Sequence, residues 1–162
     1  MKYTIRDAAK GDMIKVFDLI NELASFEKEN DAVQITLEEL IASGFGSNPL
    51  YHCFVAEINK DIVGMALVYA RYSTWQGPVI HLEDLIVTEK MRGTGLGTAL
   101  LKAVVQYGSE KGVKRISWEV LDWNEPAIKF YESKGANVMR DWDVVQLKEE
   151  GMKRFLETHE DI

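Results

Sequence analysis

The sequence predicts a single α/β domain in which helices flank a mixed, mostly antiparallel central sheet. Three observations favour this class. Strand-like and helix-like segments alternate along all 162 residues, and a hydrophobic fraction of 46% can supply one core. Three consecutive strand-like segments in the middle require hairpin connections, which a doubly wound parallel sheet lacks. We therefore expect one domain over residues 1–162, with the order β-α-α-β-β-β-α-β-α-β.

The first part of the chain predicts one strand followed by two helices. Residues 2–6 alternate like a short strand, and Asp12 precedes a segment with apolar residues at helical spacing, so it is a candidate cap. Thr36, with Glu39 three residues later, is typical of a second helix start, and that helix should end near Gly44.

The central part predicts a hairpin, then a strand, a helix and another strand. Residues 51–58 and 62–69 are rich in β-formers and are joined by Asn59, Lys60 and Asp61. We expect a loop at 71–77 and strands at 79–87 and 113–121. The helix between those strands is indicated by a stripe that should lie in the core, Leu96, Leu100, Leu101 and Val104.

The last part predicts one more helix and one more strand. Asn124 is a typical cap with Pro126 in the first turn, and Gly135 should close that helix. Residues 142–147 predict a last strand. Residues 149–159 form either a short terminal helix or a loose acidic tail.

Composition excludes several kinds of partner. Nineteen basic and 26 acidic side chains give a net charge of −7, which disfavours nucleic acid. No leader-like apolar region begins the chain, and no segment approaches the roughly 20 apolar residues of a membrane span. We expect a soluble, cytoplasmic protein without a membrane partner.

Cysteine and histidine usage argues against a disulfide or a metal site. The single cysteine, Cys53, cannot form an internal disulfide, and its strand-like surroundings place it in the core. The three histidines show no ligand spacing, so we expect no metal cofactor.

Residues 91–98 form a glycine-rich turn between a predicted strand and a predicted helix, an arrangement that binds anions through backbone N–H groups. A nucleotide P-loop would end in Gly-Lys-Ser or Gly-Lys-Thr, which is absent here, and a dinucleotide fingerprint would need Gly or Ala at Thr98. The pattern that fits is R-x-x-G-x-G, formed by Arg92, Gly95 and Gly97.

A second segment, residues 124–136, matches N-x-x-A-x-x-F-Y-x-x-x-G. With both motifs in this order, the chain resembles the GNAT superfamily of acetyl-CoA-dependent N-acetyltransferases. Within it, the chain is most similar to the diamine acetyltransferases, through residues 20–27, 44–46, 51–57, 82–84, 92–97 and 123–126. Polyamine enzymes tend to have an acidic residue after the loop tyrosine; Ser73 stands there, which resembles the thialysine-acetylating branch.

The resemblance implies acetyl-CoA as cosubstrate and two catalytic residues. The implied cofactor-binding residues are Leu85, Ile86, Val87, Arg92, Gly93, Thr94, Gly95, Leu96, Gly97, Thr98, Asn124 and Tyr131. Glu83 matches the family's base, acting through an ordered water, because an ammonium substrate must lose a proton before it attacks. Tyr131 matches the acid that protonates the departing thiolate. The alternatives are a solvated carboxylate for Glu83 and core packing for Tyr131.

An amine acceptor is expected to meet carboxylates and aromatic faces. The candidates are Phe26, Glu27, Tyr72, Ser73, Trp75, Glu83, Asp84, Trp118 and Glu119. Ser73 removes an anchor for a distant second ammonium, which favours a shorter, amino-acid-like amine. Arg71 or Arg140 either receives a substrate carboxylate or is a surface charge.

The leading hypothesis is an N-acetyltransferase that acts on a primary amine of a small diamine-like substrate, with thialysine or a lysine analogue favoured over polyamines. The alternatives are a non-catalytic acetyl-CoA-binding module, a spermidine/spermine acetyltransferase and a peptide Nε-acetyltransferase. The resemblance also implies a homodimer, in which Trp142 packs either on the last strand or against the twin subunit.

Overall fold

The computed structural model describes residues 2–159, whose contacts divide into two compact units, one ending at Leu121 and one beginning at Asp122. The first contains β1 Thr4–Asp7, α1 Met13–Phe26, α2 Leu37–Phe45, β2 His52–Ile58, β3 Asp61–Ser73, β4 Gly77–Val87, α3 Leu96–Glu110 and β5 Ile116–Ser117. The second contains α4 Glu125–Glu132 and α5 Glu149–Thr158. Each unit is described by itself, and a single domain stays a prediction.

The first unit is built on a five-stranded sheet in the order β1-β2-β3-β4-β5. The first three pairings are antiparallel, and β4 pairs with β5 in parallel, so the predicted mixed, mostly antiparallel sheet is confirmed. The predicted hairpin is also confirmed, because Asn59 and Lys60 take positive φ angles of 50° and 71° in the tight β2–β3 turn.

Helices pack on both faces of this sheet. On one face, α1 and α2 cover a buried cluster that comprises Met13, Val16, Leu19, Leu40, Cys53, Val55, Met65, Leu67 and Ile86. The predicted stripe of α3 is buried as expected. It packs close to β3, where a Cβ on Gly64 would lie 3.2 Å from the Leu100 side chain. Cys53 is a core residue, and burial raises its pKa to about 12.

The sequence predicts an N-cap for each of the first two helices. The cap at Thr36 is confirmed, and the cap at Asp12 is wrong. Thr36 Oγ1 accepts a hydrogen bond from Glu39 N at 3.2 Å, and the Glu39 carboxylate accepts one from Thr36 N at 2.8 Å. Asp12 does not cap α1, because its carboxylate accepts from Arg6 Nη1 and from Ala9 N, both at 2.7 Å. The charge-assisted bond to the guanidinium competes successfully with the backbone cap.

Four predicted segments need correction or completion. The predicted loop at 71–77 shrinks to residues 74–76, because β3 and β4 pair as far as Ser73 and Gly77. The predicted strand at 113–121 is reduced to β5, where the ladder with β4 stops. Residues 142–147 form no strand, since the described part of the second unit offers no other strand to pair with. Residues 149–158 are helical.

Candidate active site

A β-bulge in β4 reorients the strand at Glu83. In the β3–β4 ladder, Val68 pairs with Leu82 but Leu67 pairs with Asp84, so Glu83 is an extra residue. Because strand side chains alternate, Leu67 and Tyr69 share one sheet face, and their partners Asp84 and His81 share it too. The bulge therefore gathers adjacent carboxylates on the face that α1 covers.

Three carboxylates form an acidic cluster, defined here as Glu27, Glu83 and Asp84. Glu27 caps the C-terminal end of α1. Burial, followed by the charges of Glu83 and Glu27, raises the pKa of Asp84 to about 6. Burial and then the charge of Glu29 raise the pKa of Glu27. Negative charges that repel one another in a partly buried place stabilise a bound cation such as an ammonium group.

Two further side chains surround Glu83, and sequence reasoning missed both. His81 Nε2 lies 3.7 Å from Glu83 Oε2, and the His81 and Tyr69 ring centres are 5.1 Å apart. Burial and then the charge of Glu83 raise the pKa of Tyr69. The alternation of a strand places residues 81 and 83 on one face, so that spacing could have indicated His81.

One edge of β4 is open next to this cluster. Leu85, Ile86 and Val87 pair with β3 on one side. On the β5 side, the ladder contains two pairs, Ile80 with Ile116 and His81 with Ser117. From residue 82 to 87, that edge has no strand partner among residues 2–159. An extended chain that carries amide groups can bind there as an added strand.

The glycine turn after β4 has the geometry of an anion site. Gly93 and Gly95 have φ angles of 72° and 89°, which side-chain-bearing residues rarely adopt, and a Cβ at either would meet no atom within 4 Å. Gly95 is the N-cap of α3, and no side chain among the described residues caps that helix. Its first-turn N–H groups suit a bound pyrophosphate.

The side chain of Arg92 ties this turn to α1. Its Nε donates to the Val87 carbonyl at 3.2 Å, and its guanidinium lies 4.8 Å from the centre of the Phe26 ring. Glu22, which sequence reasoning also missed, accepts from Thr88 Oγ1 and Glu89 N, both at 2.9 Å. Thr88 and Glu89 follow Glu22 by 66 and 67 residues in the sequence, so no local pattern indicates Glu22.

The other candidates of the first unit lie at the tip of the β3–β4 hairpin and directly after β5. Tyr72 and Trp75, at the tip of the β3–β4 hairpin, are 73% and 81% exposed. Pro78, which pairs with Tyr72, lies five residues before Glu83, about 16 Å at 3.3 Å per residue. Ser73 Oγ accepts from Trp75 N at 3.3 Å. Trp118 and Glu119 directly follow β5.

The second unit carries the remaining two candidates. Asn124 caps α4 as predicted, accepting a hydrogen bond from Ala127 N at 3.3 Å. Tyr131 is half-buried on α4, with its ring edge-on to Phe130 at 5.2 Å. Gly135, at a φ of 88°, follows the helix as expected.

The described residues form neither a metal-binding group nor a membrane-spanning helix. Between residues 2 and 159, no group of three or more His, Cys, Asp or Glu side chains is arranged to hold a metal ion. No helix in that range combines the length and apolar character needed to cross a membrane.

The sheet, the glycine turn and the acidic cluster together define an α/β protein that can hold an anionic donor beside a cationic acceptor. The Acetyltransferase (GNAT) family matches residues 14–136, and the chain belongs to this family. It is an N-acetyltransferase that acts on amines, and GNAT acetyltransferases use acetyl-CoA as cosubstrate.

Named relatives agree with this assignment, and a solved structure shares the fold. Thialysine N-epsilon-acetyltransferase of Bos taurus is 39% identical over 162 residues, which cover 93% of this chain and 95% of that protein. Spermidine/spermine N(1)-acetyltransferase-like protein 1 of Homo sapiens is 38% identical over 83% of this chain and 20% of its own length. An integron cassette protein of V. cholerae shares the fold, with a TM-score of 0.78 at 19% identity over 97% of this chain and 99% of its own.

Proposed function

We propose that this protein transfers the acetyl group of acetyl-CoA to a primary amine of a short, amino-acid-like diamine such as thialysine. The observation that carries the proposal is the acidic cluster on the bulge of β4, next to the open edge of the same strand. An ammonium drawn to the cluster would lie beside a donor held along that edge.

Acetyl-CoA would be held mainly by backbone groups. The open edge at residues 85–87 would pair with the amide-containing arm of the donor, and the turn from Gly93 to Thr98 would hold the pyrophosphate. Arg92 would keep that turn in place through Val87 and Glu22. Asn124 would contact the donor arm, as the family resemblance implies.

Glu83 would act as the general base. A primary ammonium has a reference pKa of about 10.4, so it must lose a proton before its nitrogen can attack the acetyl carbonyl. Half of the Glu83 side chain is exposed, which allows a water to carry the proton to its carboxylate. Glu27 and Asp84 would hold the ammonium until that transfer.

Tyr131 would supply the proton for the leaving group. After the amine attacks, the carbon–sulfur bond breaks and the coenzyme A thiolate accepts a proton from the tyrosine hydroxyl. The support for this role is the match of Tyr131 to the second family motif.

The preference for a short amine has two supports. Relatives named thialysine N-epsilon-acetyltransferase match 93% of this chain at up to 39% identity. The hairpin tip, about 16 Å from Glu83 along the strand, presents Tyr72, Ser73 and Trp75 rather than a carboxylate, so a distant ammonium would find no counter-charge among them.

A substrate panel tests this proposal. The protein is incubated with acetyl-CoA and, separately, with thialysine, lysine, ornithine, putrescine, spermidine, spermine and a lysine peptide, while free thiol is followed. We expect the highest kcat/KM with thialysine. A higher kcat/KM with spermidine or spermine would replace the proposal with polyamine acetylation, and turnover of the peptide alone would replace it with protein acetylation.

We further propose that the protein acts in the cytoplasm as a homodimer. Apolar side chains of the second unit that are more than half exposed, including Trp142, Val145 and Leu147, could be covered by a second copy. Sedimentation should give twice the mass of 18.4 kDa, and Trp142→Glu should halve it. A wild-type monomer at micromolar concentration would overturn the dimer.

A further inference from the structure

Two buried polar atoms lie on neighbouring strands at the point where β4 and β5 part. His81 is 7% exposed, and its Nδ1 and the Ser117 Oγ both lack a hydrogen-bond partner among the described residues. The two residues pair in the β4–β5 ladder, which puts their side chains on the same face of the sheet. Buried polar atoms normally have partners, and an internal water is the common one.

The other nitrogen of the same ring faces the proposed base. His81 Nε2 lies 3.7 Å from Glu83 Oε2, and Tyr69 packs against the ring at 5.1 Å between ring centres. The imidazole therefore has one nitrogen near the partly exposed carboxylate of Glu83 and a buried nitrogen on the sheet face that it shares with Ser117. An imidazole that offers one nitrogen to each neighbour can accept a proton on one side and release one on the other.

We propose that His81 relays the amine proton away from Glu83. The inference rests on the proposed role of Glu83 as base. Once the side chains close the 3.7 Å between Glu83 Oε2 and His81 Nε2, the O–H bond of protonated Glu83 breaks and Nε2 takes the proton, which gives an imidazolium. The Nδ1–H bond then breaks, and a water held with Ser117 Oγ takes that proton and passes it to solvent. The neutral ring turns over, so that its bare nitrogen faces Glu83 again. The carboxylate is then ready for another cycle. His81 acts through Glu83 and does not contact the acceptor, so it is a positioning residue.

Charged and titratable groups face the ring from its own strand and from neighbouring elements. Glu83 and Asp84 share its strand, Glu27 lies close enough to Asp84 to raise that residue's pKa, and Tyr69 faces the ring from β3. Arg71 and Glu119 act on Tyr69 with opposite signs. The ring therefore has carboxylates on its own strand and beside it as counter-charges.

Variants at His81 separate a relay from a structural role. His81→Gln should lower kcat on the order of tenfold, less than the 10²–10⁴ of a direct acid–base group, with both KM values within about twofold of wild type. His81→Ala should recover several-fold in kcat when imidazole is added. His52→Gln is the matched control and should keep wild-type kcat, because His52 pairs with Asp7 and stacks on Tyr107.

A solvent isotope measurement separates the relay from the proton transfers of Glu83 and Tyr131. The solvent deuterium dependence of kcat should curve more strongly in wild type than in His81→Gln, because the relay adds a proton transfer. The same dependence in both enzymes, or a His81→Gln enzyme with wild-type kcat, overturns the relay. Glu83→Gln distinguishes failure of the relay from failure of the proposed base. If Glu83→Gln lowers kcat and His81→Gln does not, only the relay through His81 is wrong. If Glu83→Gln keeps wild-type kcat, Glu83 is not the base.

Discussion

The acidic cluster lies near the end of β4, and the glycine turn follows that strand. The turn is formed by backbone groups, whereas the cluster is formed by side chains. The turn consists of backbone, with Gly93 and Gly95 in conformations that side chains disfavour. The cluster consists of side chains, with Glu27 from the end of α1 and two neighbours from a bulge. A backbone site recognises the constant part of the donor, whereas a side-chain site can change with the acceptor.

The largest effect on kcat is expected from a substitution in the acidic cluster, where the acceptor amine would bind. Glu83→Gln should lower kcat at neutral pH by roughly 100-fold, because the attacking nitrogen stays protonated, while the KM for acetyl-CoA stays unchanged. Thiol release measured from pH 6 to 10 would show part of the loss recovered at high pH. Glu110→Gln at the exposed end of α3 is the control. Equal losses at every pH would contradict a base role.

Asp84→Asn should change stability with pH. The pKa of Asp84 is raised from 3.8 to about 6, so its ionisation costs the folded state free energy that is absent below pH 3.8 and complete once pH has risen through 6. The variant should gain about 3 kcal/mol over wild type at pH 8 and little at pH 4. Urea unfolding at both pH values measures this gain. If the free energies of unfolding of the two proteins differed by the same amount at both pH values, the burial assigned to Asp84 would be contradicted.

On the donor side, Gly95→Ala should raise the KM for acetyl-CoA about tenfold, because a left-handed alanine costs roughly 1–2 kcal/mol and distorts the turn. Gly112→Ala is the matched control, since Gly112 also has a positive φ, of 68°, but follows α3. Both variants should lower the Tm by similar amounts. A tenfold change of KM in both would mean that general destabilisation, and not the turn, is responsible.

The smallest effect is expected at the hairpin tip. Trp75→Ala should change kcat/KM for thialysine by less than about twofold, because the side chain is 81% exposed and lies in the turn beyond Tyr72, more than about 16 Å along the hairpin from Glu83. Competition between thialysine and spermidine is the measurement. A loss of tenfold or more for thialysine would mean that the tip closes over the acceptor.

The same contrast explains what the sequence could predict. The turn was indicated by its own residues, because glycine spacing and a following helix are local patterns, and Thr36 with Glu39 was equally local. The bulge at Glu83 depends on the register with β3, and the contact between Glu22 and Thr88 joins residues 66 apart. Neither leaves a local signal.

The errors in the predicted strands have a related cause. Residues 142–147 have strand-like composition, yet strand formation needs a partner, and the described second unit offers none. Residues 113–121 have a partner, but pairing stops after Ser117, where β4 and β5 part. Composition indicates which segments can pair, and the ladder decides how far they do.

The most direct test compares the Michaelis constants for both substrates in a variant of each site and in the double variant. The KM for acetyl-CoA and the KM for thialysine are measured at pH 7.5 in wild type, Gly95→Ala, Asp84→Asn and the double variant. Gly95→Ala should raise only the donor constant, Asp84→Asn only the acceptor constant, and the double variant both by the single-variant factors. A donor constant that rises in Asp84→Asn as much as in Gly95→Ala would contradict separate construction of the two sites.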